Sequence, residues 1–385
     1  MEFLQNELDE LKRKKICRLL ETVACSGPAR IRAAGDRLLD FSSNNYLGLT
    51  AHPRVLRESA LAIRRWGTGS GASRLLSGNL KIHEDLEAKI AAFKGEEAAA
   101  VFSSGYMAAL GAVTSLVGEK DAVLVDRLNH ASLIDAARLS RAKFWVYPHR
   151  DAAALDDLLG RAKGYRRRLV VTDSYFSMDG DIAPLGRIAE VCRRRGALLM
   201  VDEAHATGVF GKRGSGLTEH FGLTGTIDVV MGTLSKALAS VGGYVAGKAV
   251  LKRYLVTRSR QFIYTTAPSP AASGAAYGAI GVIEKHPEIR ERYWEKIRRT
   301  RGSLEALGFD LMDSEGPVVP VLIGDTARAV RAAAFLRRHG IFAPAIRPPT
   351  VPNRTDRIRL SLTAAHTEED LGRLIAALQK MRKRL

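Results

Sequence analysis

The chain has 385 residues, of which 46% are hydrophobic and 26% charged, enough for one large elaborated domain or for two domains. No apolar run reaches the roughly 18–20 residues of a membrane-spanning helix, and the charged N-terminal segment is not typical of a secretory signal. The three cysteines lack metal-site spacing and any obvious pairing, which fits a reducing compartment. We therefore expect a cytoplasmic globular protein without a metal site and without a membrane partner.

The formal net charge of +18 is unusual and has several interpretations. It is compatible with a nucleic-acid partner, with an anionic substrate, or with a solvated arginine-rich surface. The arginines are dispersed over predicted helices, and no aromatic platform is interleaved with them. We therefore expect no nucleic-acid partner, although a basic binding protein stays open as the competing class.

Residues 1–40 are predicted to form a helical arm with a short hairpin, too small to fold alone. From about residue 98 to 235, short apolar runs alternate with helical stretches, which indicates an α/β domain whose mainly parallel sheet is covered on both faces. We place this large domain at 41–284. Ligands of such sheets bind beyond the carboxyl ends of the strands, and the polar candidates of this chain lie in those loops.

The pattern changes from about residue 285. A charged helix is followed by alternating strand and helix patterns, including "GPVVPVLIG" and "RIRLSLTA". We predict a small C-terminal α+β domain over 285–385.

Asp202 comes just past a predicted buried strand in "VDEAHATG" (201–208), and His205 follows three residues later. The simpler interpretation is a carboxylate that caps a turn and a histidine in the core. The alternative is a bound pyridine ring, whose nitrogen a carboxylate keeps protonated and whose phenolic oxygen a histidine contacts. These residues alone leave both interpretations open.

Three other loops carry further candidates. Gly105 opens a predicted helix in "VFSSGYMAAL", where free N–H groups and the helix dipole favour a phosphate. His130 begins a helix in "DRLNHASLIDAA", either as a cap or lying flat over an aromatic ring. Ser177 in "DSYFSMDGDIAPL" either points inward or belongs only to a turn.

Lys236 in "TLSKALASVGGYVAG" connects these candidates. A lysine amine with a lowered pKa forms a Schiff base with an aldehyde. Small neighbours let a planar ring approach, and the hydroxyls of Thr233 and Ser235 suit a phosphate. One ligand uses the lysine, the carboxylate and the glycine turn together, namely pyridoxal 5′-phosphate (PLP).

The whole chain resembles the α-oxoamine synthases, which are PLP enzymes of the type I aminotransferase fold and condense an amino acid with an acyl-CoA. The matching segments run in family order: "FSSNNYLGL", "GTGSGASRLLSGN", "NHASL", "FSMDGDIAPL", "VDEAHATGVFG" and "TLSKALASVGGY". The resemblance implies the type I PLP-dependent transferase fold, with a large domain and a small C-terminal domain.

By this resemblance, Lys236 holds the cofactor as a Schiff base, Asp202 faces the ring nitrogen, His205 contacts the phenolic oxygen and His130 stacks on the ring. The resemblance places Ser177 near the ring and assigns the phosphate to Gly105, Tyr106 and Thr233. It completes the phosphate site with Thr265 or Thr266 of a neighbouring subunit, which implies a homodimer with a shared active site. Substrate contacts fall on Arg18, Asn44, Ser70, His130, Arg347 and Thr350, with Arg347 gripping the amino-acid carboxylate and Arg18 meeting the end of the acyl chain.

Within the family, "AIRPPTVP" (345–352) followed by "RIRLSLTAAHT" resembles the branch of biotin biosynthesis that joins L-alanine to pimeloyl-CoA or a pimeloyl-carrier protein. A positive surface suits CoA phosphates or an acidic carrier protein. The alternative branch is a glycine C-acetyltransferase, which uses glycine and acetyl-CoA.

Overall fold

Strands and helices alternate along most of the chain. The structure, a computed structural model, describes residues 1–13, 17 and 20–384. Its strands, numbered in chain order, are β1 (Val23–Gly27), β2 (Arg30–Ala33), β3 (Asp36–Asp40), β4 (Ala98–Phe102), β5 (Ala122–Asp126), β6 (Lys143–Tyr147), β7 (Arg168–Asp173), β8 (Leu198–Asp202), β9 (Val229–Thr233), β10 (Gly243–Gly247), β11 (Val318–Leu322), β12 (Ile341–Phe342), β13 (Ala345–Ile346) and β14 (Arg357–Ser361).

The helices occupy the segments between these strands and both ends of the chain. They are α1 (Glu2–Arg13), α2 (Pro53–Trp66), α3 (Lys81–Lys94), α4 (Gly105–Leu116), α5 (Ala131–Leu139), α6 (Ala152–Arg161), α7 (Leu185–Arg195), α8 (Leu217–His220), α9 (Ala249–Arg258), α10 (Arg260–Ile263), α11 (Pro270–Lys285), α12 (Pro287–Ala306), α13 (Thr326–Arg338) and α14 (Glu368–Arg382). Within the described residues, none of these helices combines the length and the apolar character needed to cross a membrane.

The central sheet has the order β4-β10-β9-β8-β7-β5-β6. Strands β9, β8, β7, β5 and β6 run parallel, and β10 runs antiparallel to both of its neighbours. The carboxyl ends of β5, β7, β8 and β9 therefore meet at one edge of the sheet. The predicted mainly parallel sheet is confirmed, with β10 as the exception.

Both faces of this sheet are buried, as the continuous apolar runs predict. In β7, Leu169 and Val171 pack in one core cluster with residues of α4 and α5, whereas Val170 packs in a second cluster with residues of α6 and α7. Successive side chains of a strand point to opposite faces, so one short run supplies both cores.

A three-stranded antiparallel sheet, β11-β14-β13, forms near the C-terminus. Helices α12 to α14 contribute to the same core cluster that reaches the central sheet. The N-terminal hairpin strands β1 to β3 join this half of the chain, because β3 pairs in parallel with β12, with Leu39 opposite Ile341. Helix α1 buries none of its residues. The boundaries at 40/41 and 284/285 stay predictions.

A buried ion pair links α3 to the end of β8. The side chains of Lys94 and Glu203 are 1% and 0% exposed and form a salt bridge. Lys94 also donates to the carbonyl of Ser215, and Glu203 accepts a hydrogen bond of 2.6 Å from the backbone N–H of Thr218. The carboxylate is therefore compensated from two sides in the interior.

We predict that Lys94→Met lowers the free energy of unfolding by about 3–5 kcal/mol, because it leaves the Glu203 carboxylate buried without its cation. Urea denaturation followed by circular dichroism measures the loss. The control is Lys94→Met combined with Glu203→Gln, which recovers part of the loss because no unpaired charge remains. A Lys94→Met variant as stable as the parent chain contradicts the prediction.

Candidate active site

Lys236 lies in a closed loop between the antiparallel strands β9 and β10. The N–H of Leu234 donates to the carbonyl of Gly242 at 2.9 Å, and the N–H of Ala239 donates to that of Lys236 at 3.0 Å. Ala239 has φ +52°, a left-handed conformation that lets the chain turn within this short loop. The lysine is thereby held beside the carboxyl edge of the parallel strands.

The glycines of this loop serve close backbone packing. A Cβ atom on Gly243 would lie 2.6 Å from Cα of Gly105, and one on Gly105 would lie 3.2 Å from Cβ of Thr233. The first turn of α4 therefore lies directly against the end of β9. Glycine is required at position 243, where a Cβ atom would meet only backbone atoms, whereas at position 105 it would crowd the side chain of Thr233.

The environment of Lys236 favours the neutral amine over the ammonium form more strongly than water does. The side chain is half-buried, and burial lowers its pKa to about 8, although the charges of Asp202 and Asp173 oppose this change. Lys236 Nζ forms no hydrogen bond or ion pair within the described residues. The amine is therefore available to react.

Asp202 ends β8 and is 4% exposed. Burial raises the pKa of its carboxyl group, whereas the charges of Lys236 and His130 lower it. Its Oδ1 accepts a hydrogen bond of 2.7 Å from the N–H of Ala204, while Oδ2 accepts none from the described part of the chain. One carboxylate oxygen is thus free for a donor such as a protonated ring nitrogen.

His205 lies beside Asp202 and is 6% exposed. Its Nδ1 is 2.6 Å from the hydroxyl of Tyr46. Burial raises the pKa of Tyr46 to about 12 and holds the pKa of His205 well below its usual value. The tyrosine is therefore the donor, and the neutral imidazole carries its hydrogen on Nε2, where it can be donated to an oxygen acceptor.

His130 caps α5, as the simpler interpretation predicts. Its Nδ1 lies 2.7 Å from Ser132 Oγ and accepts from the N–H of Ser132 at 3.3 Å. The residue is nevertheless exposed, so the cap does not exclude a stacking role for its ring. Its own N–H donates to Asp173 Oδ2 at 2.9 Å, which ties the residue to the end of β7.

The predicted phosphate residues lie together at the start of α4 and the end of β9. The N–H groups of Gly105 and Tyr106 donate no hydrogen bond within the described residues. Thr233 Oγ1 lies 2.7 Å from Ser235 Oγ. Unpaired donors at a helix N-terminus and neighbouring hydroxyls suit a phosphate group. With the free amine and the free Asp202 oxygen, these groups fit PLP.

Arg359, on β14, is a site residue that the sequence analysis did not single out. It is 7% exposed and donates to the carbonyl of Ser177 at 2.5 Å and to Asn44 Oδ1 at 3.1 Å. Its charge acts on both Lys236 and His205. The structure therefore brings Asn44 and Ser177 to the site through this arginine.

Asp173 and Tyr46 were also missed. Both lie inside segments that the sequence analysis quoted, "DSYFSMDGDIAPL" and "FSSNNYLGL", so position within a motif was the available signal. Arg359 likewise lies in "RIRLSLTAAHT".

Other predicted residues stand apart within one chain. Ser70 Oγ donates to the carbonyl of Pro268 at 2.7 Å, and Ser73 forms an isolated bridge with Thr266. This pairs the 70–73 segment with the segment that carries Thr265, and neither threonine hydrogen-bonds to Lys236 or Asp202 within the described residues.

The predicted acyl-end and carboxylate residues remain untested. Arg347 is half-buried and forms no ion pair within the described residues, and its carbonyl accepts from the N–H of exposed Thr350 at 3.0 Å. Arg18 lies outside the described residues. Their roles stay predictions.

Comparisons with known proteins identify the family of this chain. Residues 36–378 match the family aminotransferase class I and II. An 8-amino-7-oxononanoate synthase of Geobacter sulfurreducens is 46% identical over 99% of this chain and 98% of its own length. One from Anaeromyxobacter sp. (strain Fw109-5) is 49% identical over 99% and 96%.

Solved structures share the fold over nearly the whole chain. A serine palmitoyltransferase from S. paucimobilis, with a bound PLP–myriocin aldimine, superposes with a TM-score of 0.93 at 31% identity, covering 99% of this chain and 97% of that one. An 8-amino-7-oxononanoate synthase from Francisella tularensis superposes with a TM-score of 0.78 at 26% identity, covering 90% and 98%.

We predict that, in the ligand-free protein, Lys236 reacts with an amine reagent with a midpoint near pH 8, because burial lowers its pKa to about 8. Competitive acetylation followed by peptide mass spectrometry measures the midpoint. Lys81 is the internal control, because its hydrogen bond to Asp85 raises its pKa. Asp202→Asn is expected to lower the Lys236 midpoint further, and a midpoint close to that of Lys81 contradicts the prediction.

Proposed function

The chain belongs to the aminotransferase class I and II family, and we propose that it is a PLP-dependent acyltransferase, an 8-amino-7-oxononanoate synthase of biotin biosynthesis. The reaction condenses L-alanine with pimeloyl-CoA, or with a pimeloyl-carrier protein, and releases carbon dioxide and the thiol. The relatives of that name cover almost the full chain at 46% and 49% identity. The observation that carries the chemistry is the reactive Lys236 amine beside the free oxygen of Asp202.

The cofactor site is proposed to use groups that have no hydrogen-bond partner among the residues that the structure describes. Lys236 would hold the cofactor through its aldehyde carbon, and Asp202 Oδ2 would accept a hydrogen bond from the protonated ring nitrogen. His205 Nε2–H is positioned to donate to the phenolic oxygen, and Gly105 and Tyr106 offer N–H groups to the phosphate. When bound, PLP supplies an electron sink for the pair left at the amino-acid Cα.

Proton transfer at the amino-acid Cα is proposed for Lys236, whose amine is free for this step because the amino group of the substrate would replace it at the aldehyde carbon. An amine whose pKa is about 8 is partly unprotonated near neutral pH, so it can accept the Cα proton and later return one. Asp202 stabilises the ammonium form that results, because the opposite charges are close in a buried setting. One residue thereby serves as base and as acid in sequence.

Arg359 is proposed to bind the amino-acid carboxylate. It is the arginine whose charge reaches Lys236, and a guanidinium binds a carboxylate through two parallel hydrogen bonds. Its contacts with Asn44 and Ser177 hold the side chain in one orientation. Arg347 remains the predicted ligand of the same carboxylate, so the two arginines are to be compared directly.

A homodimer in the cytoplasm is proposed, with Thr265 or Thr266 completing the phosphate site of the other subunit. Support comes from the half-buried position of Thr265 and the exposed position of Thr266, neither of which hydrogen-bonds to Lys236 or Asp202 within the described residues. The free thiols of Cys17 and Cys192 are typical of a reducing compartment.

Lys236→Ala is expected to abolish borohydride trapping of PLP on the protein and to abolish product formation. Asp202→Asn is expected to retain PLP and to lose about 10²–10³-fold in kcat, because the ring nitrogen loses its anionic partner. Mass spectrometry and a product assay with L-alanine and pimeloyl-CoA measure both effects. Trapping at another lysine, or turnover with glycine and acetyl-CoA alone, contradicts the proposal.

Arg359→Lys is expected to raise KM for L-alanine about tenfold with a smaller change in kcat, because lysine cannot donate two parallel hydrogen bonds. Steady-state kinetics with alanine varied at saturating thioester measures the effect. The matched variant is Arg347→Lys, and a larger rise in that variant assigns the carboxylate to Arg347 instead.

A further inference from the structure

His149, two residues after β6, joins two loops of the active site. Its Nδ1 lies 2.9 Å from Asp126 Oδ1, and its Nε2 lies 2.8 Å from Asp181 Oδ2. Asp126 ends β5, four residues before His130, and Asp181 follows Ser177 by four residues. The imidazole therefore connects the loop that carries His130 with the loop that carries Ser177.

The geometry requires a doubly protonated ring. Carboxylate oxygens only accept hydrogen bonds, so both ring nitrogens of His149 must donate. The side chains of Asp126 and Asp181 are 1% and 6% exposed, whereas that of His149 is 23% exposed. The imidazolium thus bridges two buried anions while it remains in contact with solvent. Burial opposes this charge, but the two carboxylates outweigh it and raise the pKa of His149 to about 9.

The neighbouring backbone is shaped to hold the same contacts. Arg150 has φ +58°, a conformation that non-glycine residues rarely adopt, and its N–H donates to Asp126 Oδ2 at 2.8 Å. Its guanidinium donates to Asp181 Oδ2 at 3.1 Å, and the His149 ring meets Phe176 edge-on at 4.4 Å. Such a conformation persists when its surroundings over-determine it.

Asp126 and Asp181 each accept a further hydrogen bond within a loop of the active site. Asp126 Oδ1 also accepts the N–H of Leu128 at 2.8 Å, which shapes the loop leading to His130. On the other side, the Asp181 carbonyl accepts the N–H of Phe176 at 3.0 Å, which closes the loop around Ser177. The Ser177 carbonyl in turn holds Arg359.

We propose that the His149 imidazolium is a positioning residue of the cofactor site, which fixes the spacing between the His130 and Ser177 loops by holding Asp126 and Asp181 together. The proposal rests on the proposed PLP function, since these loops carry His130, which is predicted to stack on the ring, and Ser177, which is predicted to lie near it. Loss of the proton removes one of the two groups that bridge the carboxylates and leaves Arg150 as the remaining cation at Asp181, so the connection between the loops weakens.

His149 also faces other charges, which set the pH range of this effect. Asp173 and Tyr147 lie behind Asp126, whose charge raises the pKa of both groups. On the solvent side, His149 shares a surface cleft with charged residues of α6 and α7, of the segment before α6, and of the segment between α12 and β11: Asp151, Asp156, Asp157, Arg187, Glu190, Arg194 and Asp313. Asp156 is already paired with Arg194 and Arg195, so the buried carboxylates dominate the charge around His149.

The test compares PLP binding by the full-length apoenzyme and its His149→Gln variant, using equilibrium dialysis between pH 7 and 10. At pH 7.5 the variant is expected to bind PLP about tenfold more weakly. Above pH 9 the wild-type histidine also loses its proton, so the ratio of the two dissociation constants falls toward one. Titration of Lys236 and of PLP itself affects both proteins equally and cancels in this ratio.

The matched control is His339→Gln. His339 is a half-buried histidine whose Nδ1 meets the Phe335 carbonyl at 2.9 Å and whose ring stacks on Phe335. This variant is expected to bind PLP as the wild type does at every pH. The proposal is overturned if the ratio of the dissociation constants of His149→Gln and the wild type is one at every pH, or if it does not change with pH. A contact with only a structural role is lost equally at all pH values.

Asp181→Asn provides a second test that keeps His149 in place. Removing one of the two carboxylates is expected to move the midpoint of the alkaline loss of PLP affinity down by about one pH unit. An unchanged midpoint overturns the proposal even if His149→Gln does not fold. A wild-type apoenzyme that binds no PLP contradicts the proposed function, whereas normal binding with a pH-independent ratio contradicts only the role of His149.

Discussion

The arrangement of the site depends on buried carboxylates that end neighbouring parallel strands. Asp126, Asp173 and Asp202 close β5, β7 and β8, which are adjacent in the sheet, and all three are buried. Like charges in a protein interior require partners, and each carboxylate has a different one. Asp126 accepts hydrogen bonds from His149 and from backbone N–H groups. Asp173 accepts one from the N–H of His130, and Asp202 interacts with the charge of Lys236.

Burial and neighbouring charges also set the protonation states of the groups in the site. Burial beside Asp202 raises the pKa of Asp173 well above its usual range, while His205 stays neutral and Tyr46 stays protonated. Tyr46 and His205 therefore act as a fixed donor and a fixed acceptor to each other over the physiological range. Lys236, whose pKa is about 8, is poised to gain and lose a proton there, as the proposed chemistry requires.

The small residues around Lys236 have a role that the sequence analysis described only in part. We expected room for a planar ring. The structure adds that Gly243 packs against Gly105, so that the N–H groups of α4 lie beside the lysine loop. Backbone contact of this kind brings the predicted phosphate residues and the amine together, although they are separated by about 130 residues of sequence.

The sequence by itself determined the buried strands and the loops that end them, and it predicted the chemistry of Lys236, Asp202 and His205, because periodicity and motif residues are local properties of the chain. Only the tertiary structure decided that β10 runs antiparallel, that Tyr46 meets His205, and that Arg359 reaches the site from the C-terminal sheet. It likewise placed His149 between two loops. These contacts join segments that are distant in sequence, and strand order and core packing set them, which no local pattern of residues encodes.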